Sequence, residues 1–458
     1  MPELMTETNN ALKTDLYELT MAAGYFQNQV NLTATFELSC HTMPPNRSYL
    51  VACGLEQIAD YILNLKFTVE DIIFIKTLPV FKDVHTDFFE YLKSFKFSGD
   101  VWAMREGEIF FAGEPLLQVK APVIEGQILE TYLLSMLNIQ SLVAAKAARI
   151  VRAASLDGKK RGVIDFGSRR AHGPQAGVWA ARASYIGGCM GTSNVYAGRQ
   201  FGIPLYGTLA HSWVEAFDGE EKAFESYADV FPENTILLID TYDTVAAVKK
   251  IIRMPLREKL KAVRLDSGNL KILSKRVRKI LDQADLKTVK IIASGNLNEY
   301  KISELIQEKS PIDIFGVGTD MVTSRDYPAL DLTYKLVEIE DLQGKITYKA
   351  KRSHGKSTIP GRKQVFRGFT SQGLFKQDTI GLFREVPPPG TQALLRPVIK
   401  EGKLIKPLPS LLEIRTYLQE RLSQLPVKPG KPVLSKEIMK VKRVIDANRT
   451  IKNSAQTD

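Results

Sequence analysis

Six short stretches of this 458-residue chain gather the residue types that hold anions and handle phosphate. They are DFGSRR (165–170), TLAHS (208–212), DTYDT (240–244), RLDSG (264–268), SGNLN (294–298) and GVGTD (316–320). Between them stand arginines suited to a carboxylate or phosphate, carboxylates suited to a sugar hydroxyl, one histidine and many small residues. A small anionic ligand is what this set best serves. His211 is one of five histidines, and its neighbours Gly207, Ala210 and Ser212 leave the ring open. No cysteine or second histidine lies at metal-ligand spacing around it, so a nucleophilic or acid–base role fits better than zinc. Arg264 and Asp266 stand two apart on a strand and so face the same side, for ligand binding or for a structural ion pair. Phe166, Arg169, Arg170 and His172 share one glycine-rich turn, where Phe166 either stacks on a flat ring or fills core. Gly316, Gly318 and Thr319 suit a phosphate on exposed backbone N–H groups, or simply a tight turn. SHGKST (353–358) ends like a P-loop, but the first glycine of that spacing would fall at Ala350, and Pro360 follows instead of a helical pattern.

Each stretch closes an apolar run: GVIDFGS (162–168), PLYGTLA (204–210), TILLIDTYDT (235–244), KAVRLDSG (261–268), VKIIASGN (289–296) and IDIFGVGTD (312–320). Their starts lie 23 to 42 residues apart, room for a strand and a crossover helix, which predicts repeated βα units and a parallel sheet. Ligands of such sheets sit at the carboxyl ends of the strands, so the six tips converge. Upstream, TDLYELTMAAGYF (14–26) has helical spacing and NLTATFELSC (31–40) alternates like a strand with one buried face. GDVWAMREGEIFFAGEPLLQVKAP (99–122) reads as short strands broken by Gly and Pro. The expected division is a sheet-containing lobe over 1–135, an α/β barrel catalytic domain over 136–350, and a basic C-terminal lobe and tail over 351–458.

Apolar residues make up 44% and charged residues 25%, the balance of a soluble globular protein. The first ten residues carry no basic, apolar leader pattern. The run from Thr131 to Ala145 is too short to span a bilayer and holds Ser, Asn and Gln, so a buried helix and no membrane role are expected. Three cysteines (Cys40, Cys53, Cys189) without CxxC spacing suit a reducing compartment, and the cytoplasm is the expected location. The net charge of +11 is uneven: residues 351–458 hold 22 Lys and Arg against 8 Asp and Glu, the first 350 hold 40 against 43. LPVKPGKPVLSKEIMKVKRV (425–444) reads as a solvated, partly disordered tail, because no stacking aromatics interleave its charges as a nucleic-acid surface would require.

TDLYELTMAAGYF, RSYLVACGLEQ, DFGSRRAHGPQAG, GTLAHSWV, VRLDSG, IIASGNLNEY and FGVGTDMVTS together resemble, in order, the blocks of nicotinate phosphoribosyltransferases over roughly residues 11–335. RSHGKSTIPGRKQVFR (352–367) is similar to that family's C-terminal lobe. The resemblance implies the type II phosphoribosyltransferase fold: an irregular (β/α) barrel with an N-terminal α+β sheet lobe and a C-terminal lobe. It implies a homodimer with shared active sites. It also implies conversion of nicotinate and phosphoribosyl pyrophosphate to nicotinate mononucleotide and pyrophosphate, coupled to ATP hydrolysis, with Mg2+ as cofactor. By the same resemblance His211 is the phosphohistidine, Tyr17 reaches the pyridine ring from the neighbouring subunit, and Phe166 is its stacking counterpart. Arg169, Thr208 and Arg264 match positions facing nicotinate, Asp266 and Gly295 the ribose and phosphate region, and Thr319 a phosphoribosyl contact.

One departure stands out: Asn269 occupies the place where the family usually shows aspartate, and an amide cannot supply a carboxylate's charge. The alternative is nicotinamide phosphoribosyltransferase, whose family carries aspartate at the place of Ser193; a serine does not repel a carboxylate, so nicotinate is preferred. Quinolinate phosphoribosyltransferase shares the fold class but lacks the histidine block. A Schiff-base lyase would need a lysine at a tip, and none of the six carries one.

Overall fold

The computed structural model describes residues 10–353, 356–426 and 428–454; His354 and Gly355 of SHGKST lie outside them. The chain forms two compact units, one from residues 142–328 and one from the residues up to 141 together with those from 329 onward. The tripartite division expected from the sequence put its boundaries at 135/136 and 350/351.

In the 142–328 unit, six strands form one sheet in the order Gly191–Thr192, Gly162–Asp165, Ile314–Val317, Lys290–Ala293, Leu260–Leu265, Thr235–Leu238. Every neighbouring pair is parallel. Five of the six expected runs supply strands. The sixth does not: PLYGTLA contributes a single bridge, Leu205 to Thr192, and the strand on that side is the Gly191–Thr192 pair, which the sequence reading missed. Pro204 has no N–H to give a ladder; its carbonyl accepts from Thr192 N (3.0 Å), and Tyr206 N donates to Thr192 O (3.0 Å). Helices return the chain between strands, and their starts are capped by side chains at the tips. Asp243, Asn269 and Asn298 each accept from backbone N–H groups of the helix that follows. Val163, Leu237, Val263, Ile291 and Phe315 fill the sheet's core, all but inaccessible to water.

The second unit is built on a seven-stranded antiparallel sheet. Its order is Ile346–Tyr348, Leu332–Glu340, Thr33–Cys40, Pro115–Pro122, Asp100–Met104, Leu395–Lys400, Lys403–Leu404. Strands that follow the barrel in sequence therefore complete the N-terminal sheet. Thr33–Cys40 was expected to bury one face; its middle five residues are all buried. Glu37 is tolerated inside because Lys363 pairs with it at 2.8 Å and Gln118 donates to it at 2.9 Å. The expectation of a partly disordered tail is corrected as well. Val433–Leu434 adds a parallel strand to Phe375–Leu382, and helix Lys436–Ser454 follows. Burial of Ile438 and the Ser435–Glu385 hydrogen bond (2.7 Å) anchor that helix despite its many lysines.

The apolar run at 131–145 belongs to a longer helix, Glu130–Ala153, which with the preceding turn is long and apolar enough by length and composition to cross a membrane. Its interior residues are packed in protein: Ala144, Ala145 and Ala147 are fully buried, and Lys146 pairs with Glu299 and Asp326, each at 2.8 Å. It is a core helix.

Candidate active site

The tips of the parallel sheet enclose a cavity of about 200 Å³ lined by Phe166, Ser168, Arg169, Ser193, Gly207, Thr208 and Arg264. Five of the residues named from the sequence thus meet in one place: Phe166, Arg169, Ser193, Thr208 and Arg264. Phe166 leaves the end of strand Gly162–Asp165, and its ring is pressed so close to Gly316 that an added Cβ there would sit 2.4 Å from it. That contact gives the first glycine of GVGTD a packing role. Thr319 opens a four-residue helix at the same tip and does not line the cavity.

Arg264 is the hub. Its Nε donates to Ser294 Oγ (2.9 Å), Nη1 to Thr208 Oγ1 (2.7 Å) and Nη2 to Asp266 Oδ1 (2.7 Å), while its guanidinium lies 5.4 Å from the centre of the Phe166 ring. The ion pair expected as one reading of Arg264 and Asp266 is formed, on a residue that also lines the cavity. Arg169, by contrast, is exposed and has no partner among the described residues. Arg170 and His172 are exposed and do not line the cavity.

Asp266 also accepts from Ser294 Oγ (2.5 Å) and lies 4.0 Å from His211 Nε2. Burial pushes its carboxyl up, but the Ser294 hydrogen bond, the Arg264 guanidinium and His211 outweigh that and hold it below the ordinary carboxylate value. Gly295 packs on this residue: an added Cβ would stand 1.9 Å from the Asp266 carbonyl oxygen, and the backbone φ is +94°. Only glycine allows that approach.

His211 starts the short helix His211–Glu215, half-buried, with Nδ1 3.2 Å from Thr241 Oγ1. This contact joins two tips across the open seam of the sheet, between the Leu205 bridge and strand Thr235–Leu238. Asp240, one residue back, accepts from Asp266 N (2.9 Å) and Ser267 Oγ (2.5 Å) through Oδ2; its Oδ1 is buried with no partner. Asn269, the departure noted in the sequence, accepts from Ile272 N (3.1 Å) as a helix cap, a task asparagine and aspartate perform alike.

Sequence reasoning quoted the right stretches but passed over four residues in them: Asp165, Asp240, Thr241 and Ser294. Asp165 is fully buried. Its carboxylate accepts from Thr192 Oγ1 (2.7 Å) and Gly167 N (2.8 Å), its carbonyl accepts from Ser193 N (2.9 Å), and burial pushes its pKa up to about 6. It holds the Phe166 turn and Ser193 in register. The available signal was polarity: a carboxylate ending an apolar strand needs partners, and the tips supply them. Tyr17 lies in the other unit, on helix Leu16–Gln27, 44% exposed. Burial and the nearby Glu130, Glu18 and Asp15 carboxylates push its phenol well up.

Among the described residues no group of three or more His, Cys, Asp or Glu side chains is set to hold a metal. Mg2+ asks for less: one or two carboxylates, with water and substrate phosphates completing its shell. The orphaned Asp240 Oδ1 and the Asp266 carboxylate fit that requirement.

Comparison with known proteins agrees with this geometry. The sequence model of the nicotinate phosphoribosyltransferase N-terminal domain matches residues 12–138, and that of the nicotinate phosphoribosyltransferase family matches residues 162–378. Nicotinate phosphoribosyltransferase pncB2 of Mycobacterium tuberculosis is 44% identical over 421 residues, covering 91% of this chain and 88% of that protein. The Bacillus subtilis nicotinate phosphoribosyltransferase is 39% identical over 390 residues, covering 82% and 76%. The crystal structure of human nicotinic acid phosphoribosyltransferase superposes with a TM-score of 0.81 at 29% identity, covering 93% of this chain and 99% of that one. The curled parallel sheet with its sheet-containing lobe is the type II phosphoribosyltransferase fold, and the chain belongs to the nicotinate phosphoribosyltransferase family.

Proposed function

We propose that the chain joins nicotinate to the ribosyl group of phosphoribosyl pyrophosphate, in salvage of NAD, and couples the transfer to ATP hydrolysis through a phosphate carried on His211. The observation that carries the choice of base is the Phe166 cavity: its lining holds two arginines and, among the described residues, no carboxylate. A flat anion fits there better than an amide, which disfavours the nicotinamide alternative. Arg264 is saturated by Ser294, Thr208 and Asp266, so unpartnered Arg169 is the cation left for the nicotinate carboxylate, with Phe166 against the ring.

In the transfer, the pyridine nitrogen forms a bond to the anomeric carbon as the bond to pyrophosphate oxygen breaks, and pyrophosphate leaves with the electron pair. The nitrogen lone pair is already free, so no general base is needed. Positioning by the aromatic ring and the arginines is the protein's contribution. Asp266 suits a ribose hydroxyl; Gly295 and Thr319 bound the phosphoribosyl region. Mg2+, held through Asp240 and Asp266, supplies charge stabilisation of the leaving pyrophosphate when bound. Tyr17 serves the ring from the neighbouring protomer of a homodimer. We read the location as cytoplasmic, in keeping with three buried free cysteines.

Donation from Nδ1–H to Thr241 leaves the His211 Nε2 lone pair to attack the γ-phosphorus. The N–P bond forms as the bond to the bridging oxygen breaks, and ADP departs with the electrons. Hydrolysis of the phosphohistidine then resets the ring. Incubation with γ-labelled ATP tests this: acid-labile label is expected on the wild type and none on His211→Ala, which also loses ATP hydrolysis but keeps slow phosphoribosyl transfer. Equal label on the mutant would move the phosphate elsewhere.

A further inference from the structure

The unit built on the seven-stranded sheet carries a hollow of its own. It encloses about 180 Å³, close to the size of the Phe166 cavity, and shares no lining residue with it. Glu338 and Ile346 line it from strands Leu332–Glu340 and Ile346–Tyr348 of that sheet. Arg362, Leu382, Phe383 and Arg384 line it from the ends of the paired strands Lys363–Phe369 and Phe375–Leu382. Backbone bonds fix these walls: Gly361 N donates to Val337 O (3.0 Å) and Phe383 N to Arg362 O (2.8 Å).

Opposite charges face this space without meeting. The Arg362 guanidinium is clamped 3.8 Å from the centre of the Trp102 ring and 3.5 Å from that of Phe383, and its Nε donates to Gln118 Oε1 (3.1 Å). Neither terminal nitrogen has a partner among the described residues, and Nη2 is shut away from water. Burial pulls this guanidinium down to about 10, below the ordinary arginine value. Glu338 is 7% exposed and forms no ion pair among the described residues; its Oε2 accepts from the Arg362 backbone N–H at a long 3.4 Å. Arg384 is exposed and likewise without a partner among the described residues. The other two carboxylates of the wall are engaged. Glu385 Oε1 accepts from Leu382 N (2.6 Å) and Ser435 Oγ (2.7 Å), and Glu437 pairs with Lys440 (2.7 Å). A buried charge is costly unless a counter-charge meets it. A guanidinium and a carboxylate that each lack one suit a ligand carrying both signs on neighbouring atoms. Ile346, Leu382 and Phe383 make the rest of the wall apolar.

We infer that this hollow binds an apolar α-amino acid as its zwitterion, carboxylate on Arg362 and Arg384, ammonium on Glu338, side chain against Ile346, Leu382 and Phe383. The ligand's two charges meet the two that the fold leaves unpaired, and the clamped guanidinium needs no ordering on binding. Equilibrium dialysis of labelled L-leucine against the full chain tests the site. Saturable binding of one leucine per chain is expected, undisturbed by nicotinate. Isocaproate lacks the amine and isoamylamine the carboxylate; each should compete roughly tenfold more weakly or worse, because each leaves one buried charge unpaired. Glu338→Gln keeps the side chain's shape and its acceptor for the Arg362 N–H, and should raise the dissociation constant for leucine roughly tenfold. No saturable binding at low millimolar leucine would overturn the site, as would displacement of leucine by nicotinate. Equal competition by either analogue, or wild-type affinity in Glu338→Gln, would overturn it too.

Discussion

Arg264 spends three of its donors on Ser294, Thr208 and Asp266, so of the two readings the sequence left open for it, an ion pair and a ligand contact, the structure shows the ion pair. Arg264 fixes the Thr208 and Asp266 side chains, and Arg169 stays without a partner among the described residues. Ser193 lines the same cavity, held by its backbone bond to Asp165. Ser193→Asp brings a carboxylate into a cavity with no other, facing the carboxylate of nicotinate. Like charges at about 4 Å cost about 1 kcal/mol or more even with strong screening, roughly fivefold in relative affinity. Steady-state kinetics with both bases should show kcat/KM for nicotinate falling by that factor relative to nicotinamide; an unchanged ratio would remove Ser193 from the selectivity argument.

At the scale of elements, the site depends on two strand ends lying closer than side chains permit. Strand Lys290–Ala293 pairs in parallel with Leu260–Leu265, and the tips that follow meet where Gly295 rests on the Asp266 carbonyl. Gly295→Ala must displace that carbonyl or its own backbone, and alanine is further disfavoured at a φ of +94°. Because Asp266 is bonded to Arg264 and Ser294 and stands near His211, the displacement passes straight into the cluster proposed to do the chemistry. A shift near 1 Å costs on the order of 100-fold in rate. The expected outcome is a loss of that order in kcat/KM with only a small change in melting temperature; near-normal kinetics would show that the tips tolerate separation.

For the whole molecule, the proposed sharing of sites in a homodimer is tested through Tyr17. The tyrosine and the Phe166 cavity belong to different compact units. In a homodimer with shared sites, Tyr17→Ala and Arg264→Ala each inactivate alone, yet mixing them restores one intact site per mixed dimer. Up to about a quarter of wild-type activity is then expected, because half the molecules are mixed dimers and each holds one working site of two, as closed two-fold symmetry dictates. Activity that stays at the level of the separate mutants, with subunit exchange verified by mass, would overturn the shared-site proposal.

The sequence by itself determined the parallel βα sheet, since short apolar runs ending in polar tips at crossover spacing leave few other arrangements. It determined most of the chemical cast as well: Phe166, Arg169, Thr208 and Arg264 line one cavity because residues at the tips share one end of a parallel sheet, while Ser193 joins them from a two-residue strand the sequence did not show. Tertiary structure decided what spacing cannot encode. An expected strand at PLYGTLA was reduced to one bridge, with Pro204 offering no N–H beside it. Both faces of Thr33–Cys40 are covered, a strand nearly 300 residues later pairs along its edge, and Lys363 neutralises the glutamate this burial encloses. Burial of Ile438 and two paired residues gave the basic tail its order. Which carboxylate oxygens are spent and which are free, at Asp165, Asp240 and Asp266, was likewise settled only by contacts between tips. Hydrogen-bond partners come from distant parts of the chain, and proximity across a fold is not written in any local period.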